Sequence, residues 1–136
     1  MIVARYLLDT DTFIYIRRGR PESARARFSR LRPGEAVVSV ITYGELRYGI
    51  EKKKMGPEPL LRLEELTQII AVVPLHADVA VMYAKIRAAL SSKGALIGAN
   101  DLWIAAHARV MNLTLVTNNE REFCRVPDLK IENWIK

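Results

Sequence analysis

The chain has little of what would reveal its chemistry at a glance. Its single cysteine, Cys124, leaves no internal disulfide, and a lone thiol just after Phe123 reads as a packed side chain rather than a nucleophile. Its two histidines, His76 and His107, are far apart, and His107 turns off the helix face that carries Asp101. No soft metal site is therefore on offer. No apolar run reaches the ~18 residues of a membrane span. The opening stretch MIVARYLLDT meets acidic residues too early for a signal peptide, so a cytoplasmic protein is expected. Repeats, low-complexity tracts and dividing linkers are missing too, which predicts one domain over residues 1–136.

What is present is a core and a surplus of positive charge. Half of the residues (50%) are hydrophobic, and the formal net charge is +6. That balance suits an anionic partner, either nucleic acid or an acidic protein. The cations cluster: Arg17, Arg18, Arg20, Arg25, Arg27, Arg30 and Arg32 crowd one segment, and Lys52, Lys53 and Lys54 end another. Solvated helix faces would explain either cluster. A phosphate-facing surface would explain the first equally well, with Arg25, Arg27 and Arg30 as candidate substrate contacts.

Along the chain, short apolar strands alternate with helices. Tyr6–Leu8 reads as a strand, Thr12–Arg17 as a helix, and Glu22–Leu31 as a helix behind Pro21. Pro33-Gly34 marks a turn, Ala36–Val40 a buried strand, Thr42–Lys54 and Pro59–Thr67 helices, and Ile69–Val73 another strand. Val79, Met82, Tyr83, Ile86 and Leu90 recur at helical spacing and predict an amphipathic helix over Ala77–Ser92. Asp101–Met111 is apolar nearly all round and reads as a buried helix. The strand Thr114–Val116, the short helix Asn119–Phe123 and an edge strand Leu129–Ile131 complete the series. This alternation predicts an α/β fold with a mostly parallel sheet covered by helices on both faces. In such sheets, sites form at the carboxyl ends of the strands.

Acidic and polar residues fall where that rule directs attention. Asp9 follows the first strand, with Asp11 two positions on as a helix cap or outer group. Glu45 lies one turn into the helix after the second strand. Asp101 stands at the mouth of the buried helix, and Thr117, Asn118, Asn119 and Glu120 follow the fourth strand. Each admits a plainer explanation. Thr42-x-x-Glu45 matches a capping box, Asp101 complements a helix N-terminus, and Asn119 with Glu122 fits an N-cap. Asp9 fits the plain account least, because a carboxylate beside a buried strand is costly unless paired or metal-bound. As a set, these carboxylates repel one another, and a hard divalent cation such as Mg²⁺ or Mn²⁺ would offset that repulsion.

The residues also carry a resemblance. Tyr6-Leu7-Leu8-Asp9-Thr10, Ser39-Val40-Ile41-Thr42-Tyr43-Gly44-Glu45-Leu46, Gly98-Ala99-Asn100-Asp101-Leu102-Trp103-Ile104-Ala105-Ala106-His107-Ala108 and Leu115-Val116-Thr117-Asn118-Asn119-Glu120-Arg121-Glu122-Phe123 resemble, in order, the four motifs of PIN-domain nucleases. Val126-Pro127 and Ile131-Glu132-Asn133-Trp134 resemble the closing segment of VapC toxins within that family. The resemblance implies a metal-dependent endoribonuclease, the toxin of a toxin–antitoxin pair, with Asp9, Glu45 and Asp101 as catalytic metal ligands. It places Asn119 where many members have a fourth acid, with Glu120 as the alternative, and Thr117 beside the substrate. It further implies Mg²⁺ or Mn²⁺, an RNA substrate, a homodimer, and a VapB-like antitoxin whose C-terminal segment covers the site.

Two other readings stay open at this stage. Asp9-Thr10-Asp11-Thr12 after an apolar strand also resembles the nucleophile motif of haloacid-dehalogenase-like phosphatases. The lysine and second acidic pair which that fold needs have no room after Thr117. A basic RNA-binding module whose acids are all caps would bind without cleaving.

Overall fold

The computed structural model describes residues 2–54 and 56–136. Twelve elements follow one another: β1 (Tyr6–Leu8), α1 (Thr10–Arg18), α2 (Glu22–Ser29), β2 (Ala36–Ser39), α3 (Val40–Lys53), α4 (Glu58–Thr67), β3 (Ala71–Val73), α5 (Ala77–Ser92), α6 (Ala99–Met111), β4 (Thr114–Val116), α7 (Glu120–Phe123) and β5 (Ile131–Glu132). The strands form one parallel sheet in the order β3-β2-β1-β4-β5. β1 is central, with Leu7 opposite Val37 on one side and Leu115 on the other.

The period-two alternation of a strand sorts the core into two layers. Leu7, Val37 and Leu115 point to one face, where they pack with Val79, Ile86 and Leu90 of α5 and with Leu102, Ile104 and Ala105 of α6. Tyr6, Leu8, Ala36, Val38 and Val116 point to the other. There they meet Phe13 of α1, Ala24 of α2, Leu46 of α3 and Leu63 of α4. Both faces of the sheet are thus covered, as a parallel sheet requires. The chain winds one way from β1 to β2 and β3, then crosses back to β4. The strand order therefore reverses at β1, and a crevice opens there at the carboxyl ends of the strands.

Several local expectations are corrected. The strand expected over Ala36–Val40 stops at Ser39, and α3 begins at Val40, two residues ahead of the expected Thr42. Ser39 is the N-cap: its hydroxyl accepts from the Ile41 N–H at 3.1 Å. The β-branched run Val40-Ile41-Thr42 suggested extended chain, but the serine cap and burial of Thr42 override that propensity. The strand expected over Ile69–Val73 is shorter and lies at a sheet edge, with Ala71 exposed and Ile70 buried just before it. The last strand falls at Ile131–Glu132 rather than Leu129–Ile131. Cys124 is exposed rather than packed, because Phe123 takes the inward position.

Candidate active site

Asp9 is held from several directions. Its own N–H donates to the Val116 carbonyl at 3.0 Å, which fixes it between the ends of β1 and β4. As N-cap of α1 it accepts at Oδ1 from the Thr12 N–H at 2.8 Å. At Oδ2 it accepts from the Thr117 hydroxyl at 2.5 Å. The carboxyl is 5% exposed. Burial raises its pKa above the usual carboxylate value, against the lowering effect of the bonds from Thr117 and Thr12.

Glu45 is not the second half of a capping box. Because α3 starts earlier than expected, Thr42 is already inside the helix and fully buried. Glu45 instead accepts at Oε1 from the Thr10 hydroxyl at 2.9 Å, so α1 orients the carboxylate that α3 carries. Asp101 sits in the first turn of α6. It was expected, like the other acids, at a strand-to-helix junction, but it arrives from the connection between α5 and α6. Burial, then the charge of Glu122 and a hydrogen bond with it, then the fields of Glu45 and Asp9, push the Asp101 carboxyl up to about 7.

Glu122 is the residue that sequence reasoning did not assign to the site. It lies in α7, where it accepts from the Gly98 N–H at 3.2 Å and from the Asn119 side-chain amide, besides its bond with Asp101. The spacing of Asn119 and Glu122 signalled a cap. The structure turns that pair outward, as a side-chain bond that aims Glu122 across at α6. Asn119 makes no side-chain cap and acts on the cluster through Glu122. Glu120, the alternative fourth acid, is engaged elsewhere by Lys136 at 2.8 Å and by Asn133 at 2.9 Å.

Other expected residues are placed as follows. Thr117 was expected to face substrate. It is 0% exposed, donates to Asp9 and accepts from the Asn119 N–H at 2.9 Å, so it positions the carboxylate instead. Asp11 is exposed in the first turn of α1 and is not the cap, because Asp9 fills that role. Arg25 pairs with Glu22 at 2.5 Å. Arg27 pairs with Glu132 at 2.5 Å and lies over the Trp134 ring. Arg30 is exposed at the C-cap of α2. His107 is buried, and its Nδ1 lies 2.9 Å from the Ser39 hydroxyl. His76 precedes α5 and makes no side-chain cap there.

Three carboxylates, Glu122, Glu45 and Asp9, therefore act on a fourth, Asp101, at the carboxyl end of the sheet. Among the described residues, no lysine or arginine forms an ion pair with any of them. Nor do three such side chains, as placed, surround a common point suited to an ion. The donor chemistry nonetheless fits a hard divalent cation. All four offer oxygen, their mutual repulsion calls for positive charge, and Mg²⁺ keeps several waters and needs only one or two protein carboxylates.

Known proteins share this fold and much of this sequence. The model of the PIN domain family matches residues 6–129. The chain is 40% identical over 131 residues to Ribonuclease VapC2 of Haemophilus influenzae, covering 96% of this chain and 98% of that protein. It is 39% identical over 130 residues to the tRNA(fMet)-specific endonuclease VapC of Shigella flexneri, with the same coverage of 96% and 98%. Among solved structures, VapBC-1 from nontypeable Haemophilus influenzae superposes with a TM-score of 0.89 at 36% identity, over 99% of this chain and 100% of that one. DNA-bound VapBC from Salmonella typhimurium gives a TM-score of 0.89 at 37% identity, over 96% and 98%.

Proposed function

The chain belongs to the PIN domain family, and from that premise we propose that Asp9, Glu45, Asp101 and Glu122 form the centre at which it hydrolyses RNA as the toxin of a toxin–antitoxin pair. The observation that carries this assignment is the Asp101 carboxyl. It is raised to about 7 by burial and by three other carboxylates, and among the described residues no lysine or arginine forms an ion pair with any of the four. A purely structural cluster would have no reason to accumulate this repulsion, whereas a centre that recruits a divalent ion would.

Mg²⁺ or Mn²⁺ is the ion that an all-oxygen donor set selects. When bound, it supplies Lewis acidity toward a phosphodiester and favours hydrolysis by water at neutral pH. The residues do the rest. Asp9 is locked by Thr12 and Thr117 and keeps one fixed orientation. Glu45 is steered by Thr10. Asp101 stands beside Glu122, and burial with the neighbouring carboxylates raises its carboxyl to about 7, so a cation there would have negative charge to offset. The phosphatase alternative needs Asp9 as an attacking carboxylate, yet both of its oxygens are engaged and the group is buried.

Two relatives are named as tRNA(fMet)-specific endonucleases, so tRNA is the substrate class to test first. Solved neighbours include VapBC and toxin–antitoxin structures, and three neighbours are bound to DNA. A cognate antitoxin and a homodimer are accordingly the proposed assembly, with the antitoxin presenting an arginine or lysine to the acidic centre. No helix among the described residues is long and apolar enough to cross a membrane, and the proposed site of action is the cytoplasm, where the RNA is. Expression in a bacterium tests the reading directly. The wild type should arrest growth and cleave tRNA in a divalent-dependent way, and Asp9→Asn should do neither. A soluble wild type that neither arrests growth nor cleaves RNA overturns it.

A further inference from the structure

Beside the acidic centre, α1, α3 and α4 enclose a groove of about 530 Å³. Its inner end is lined by Thr10 and Glu45, and its rim by Arg17, Arg18, Lys53 and Arg62. The arrangement follows from helix geometry. Thr10 and Arg17–Arg18 are two turns apart on one face of α1, and Glu45 and Lys53 are two turns apart on one face of α3. At 1.5 Å per residue, each helix runs from a centre residue to a cation about 11–12 Å away. That exceeds the reach of one ion pair, so these cations meet charges that flank the acidic centre.

Basic residues in the last turn of a helix often only complement its dipole. Here they are also uncompensated. Among the described residues, Arg17, Arg18 and Lys53 form no ion pair, whereas Arg25 and Arg27 on α2 are each matched by a glutamate. Arg62 pairs only with the exposed Glu58 of its own helix. Burial of the Arg17 stem, together with neighbouring Arg18, lowers the Arg17 pKa, as expected of crowded like charges without an anion.

We propose that this groove is a phosphate track: Arg17, Arg18 and Lys53 hold the RNA backbone beside the scissile phosphate and position it against the acidic centre. The inference rests on the ribonuclease reading above and extends it to residues outside the carboxylate cluster. The favoured occupant is RNA because the rim is cationic and continuous, through Thr10 and Glu45, with the site of cleavage.

The probe is fluorescently labelled total tRNA, bound in the presence of a chelator so that no cleavage intervenes. Arg17→Gln/Arg18→Gln/Lys53→Gln is compared with Lys85→Gln/Lys93→Gln/Lys130→Gln, which removes equal charge from exposed positions elsewhere. Circular dichroism melts check that both fold. In the groove variant, the slope of log affinity against log salt should become shallower by about two to three units, at about 0.7–0.9 for each phosphate that is no longer neutralised. The control should change by less than about one unit. Arg17→Lys/Arg18→Lys, which keeps the charge, should keep the wild-type slope. With Mg²⁺ present, the groove variant should show a KM raised by an order of magnitude and a kcat within about threefold of wild type. If the wild type cleaves tRNA while the groove variant keeps its salt slope and KM, the phosphate track is refuted and the ribonuclease stands. If the wild type does not cleave, the ribonuclease reading itself fails. An unchanged slope, combined with loss of growth rescue by a co-expressed antitoxin, reassigns the groove to the protein partner and likewise overturns the proposal.

Discussion

The stability of the metal-free protein should report the charge state of Asp101. In the folded chain its carboxyl holds a proton up to about pH 7, whereas in the unfolded chain it loses that proton near the ordinary value of 3.8. Between those limits the folded state binds more protons, so this group's contribution to stability falls as pH rises and levels off above 7. At about 1.36 kcal/mol per pH unit, the full interval caps the effect at about 4 kcal/mol. Asp101 keeps part of its surface in water, and solvent screening reduces the expected loss to about 1–2 kcal/mol. For a chain of this size that corresponds to about 3–8 °C in Tm. His107 acts in the opposite sense: burial lowers its pKa, so below about 6.5 the unfolded state binds the extra proton, and stability rises with pH up to there. The quantity to measure is therefore the difference between wild type and Asp101→Asn, in which His107 cancels. In chelator, calorimetric melts should bring the variant up relative to wild type by about 2–5 °C between pH 5 and pH 8, the part of the interval from 3.8 to 7 that this window covers. Magnesium at ten times its Kd should then stabilise the wild type at pH 8 by about 1.4 kcal/mol. A wild-type-to-variant difference that stays constant from pH 5 to pH 8 would refute the electrostatic account of the cluster.

Three further outcomes follow from the bonding around it. Glu122→Gln should keep the fold but weaken divalent-ion binding by calorimetry at least tenfold, a loss typical of groups that orient or complete a metal site; unchanged affinity would place Glu122 outside it. Thr117→Val removes the hydroxyl that donates to buried Asp9 and accepts from the Asn119 N–H. It should cost about 1–3 kcal/mol in a urea melt and depress RNA cleavage, and a variant as stable as wild type would show the bond to be dispensable. Asn119→Asp exchanges an amide donor to Glu122 for a fifth carboxylate. Metal-free Tm should fall while Mg²⁺ affinity or stoichiometry rises, and if titration shows neither change, position 119 lies apart from the ion.

How much of this was legible in the sequence depended on whether the signal was local. The helix over Ala77–Ser92 and the strand over Thr114–Val116 match their expected bounds because periodicity is a property of neighbouring residues. The start of α3 did not, because Val40 and Ile41 have strand propensity and only the Ser39 cap and the burial of Thr42 make this turn helical. Asp9, Glu45 and Asp101 stood out by their positions against the predicted elements. Glu122 did not, since its partners Gly98 and Asp101 come from another part of the chain and its one local partner, Asn119, suggested a cap. The arginine cluster was visible as composition, but its division was not. The Arg27–Glu132 pair spans 105 residues, and no local pattern shows that it is matched while Arg17 and Arg18 are free to take an anion.

The central place of β1 also governs when the acidic cluster can form. Asp9 is synthesised well before the hydroxyl that fixes it, which belongs to Thr117, 108 residues later. At about 5–20 residues per second, that interval lasts about 5–20 s on a translating ribosome. Throughout it the end of β1 lacks β4, and the carboxylate has neither its burial nor its orientation. A nascent chain shorter than this is thus a bystander to the RNA that surrounds it. Pairing β1 with β4 also closes a very long loop, a kind of pairing that forms slowly. The topology thereby acts as a timer, keeping the proposed centre incomplete until β4 and Thr117 have been made.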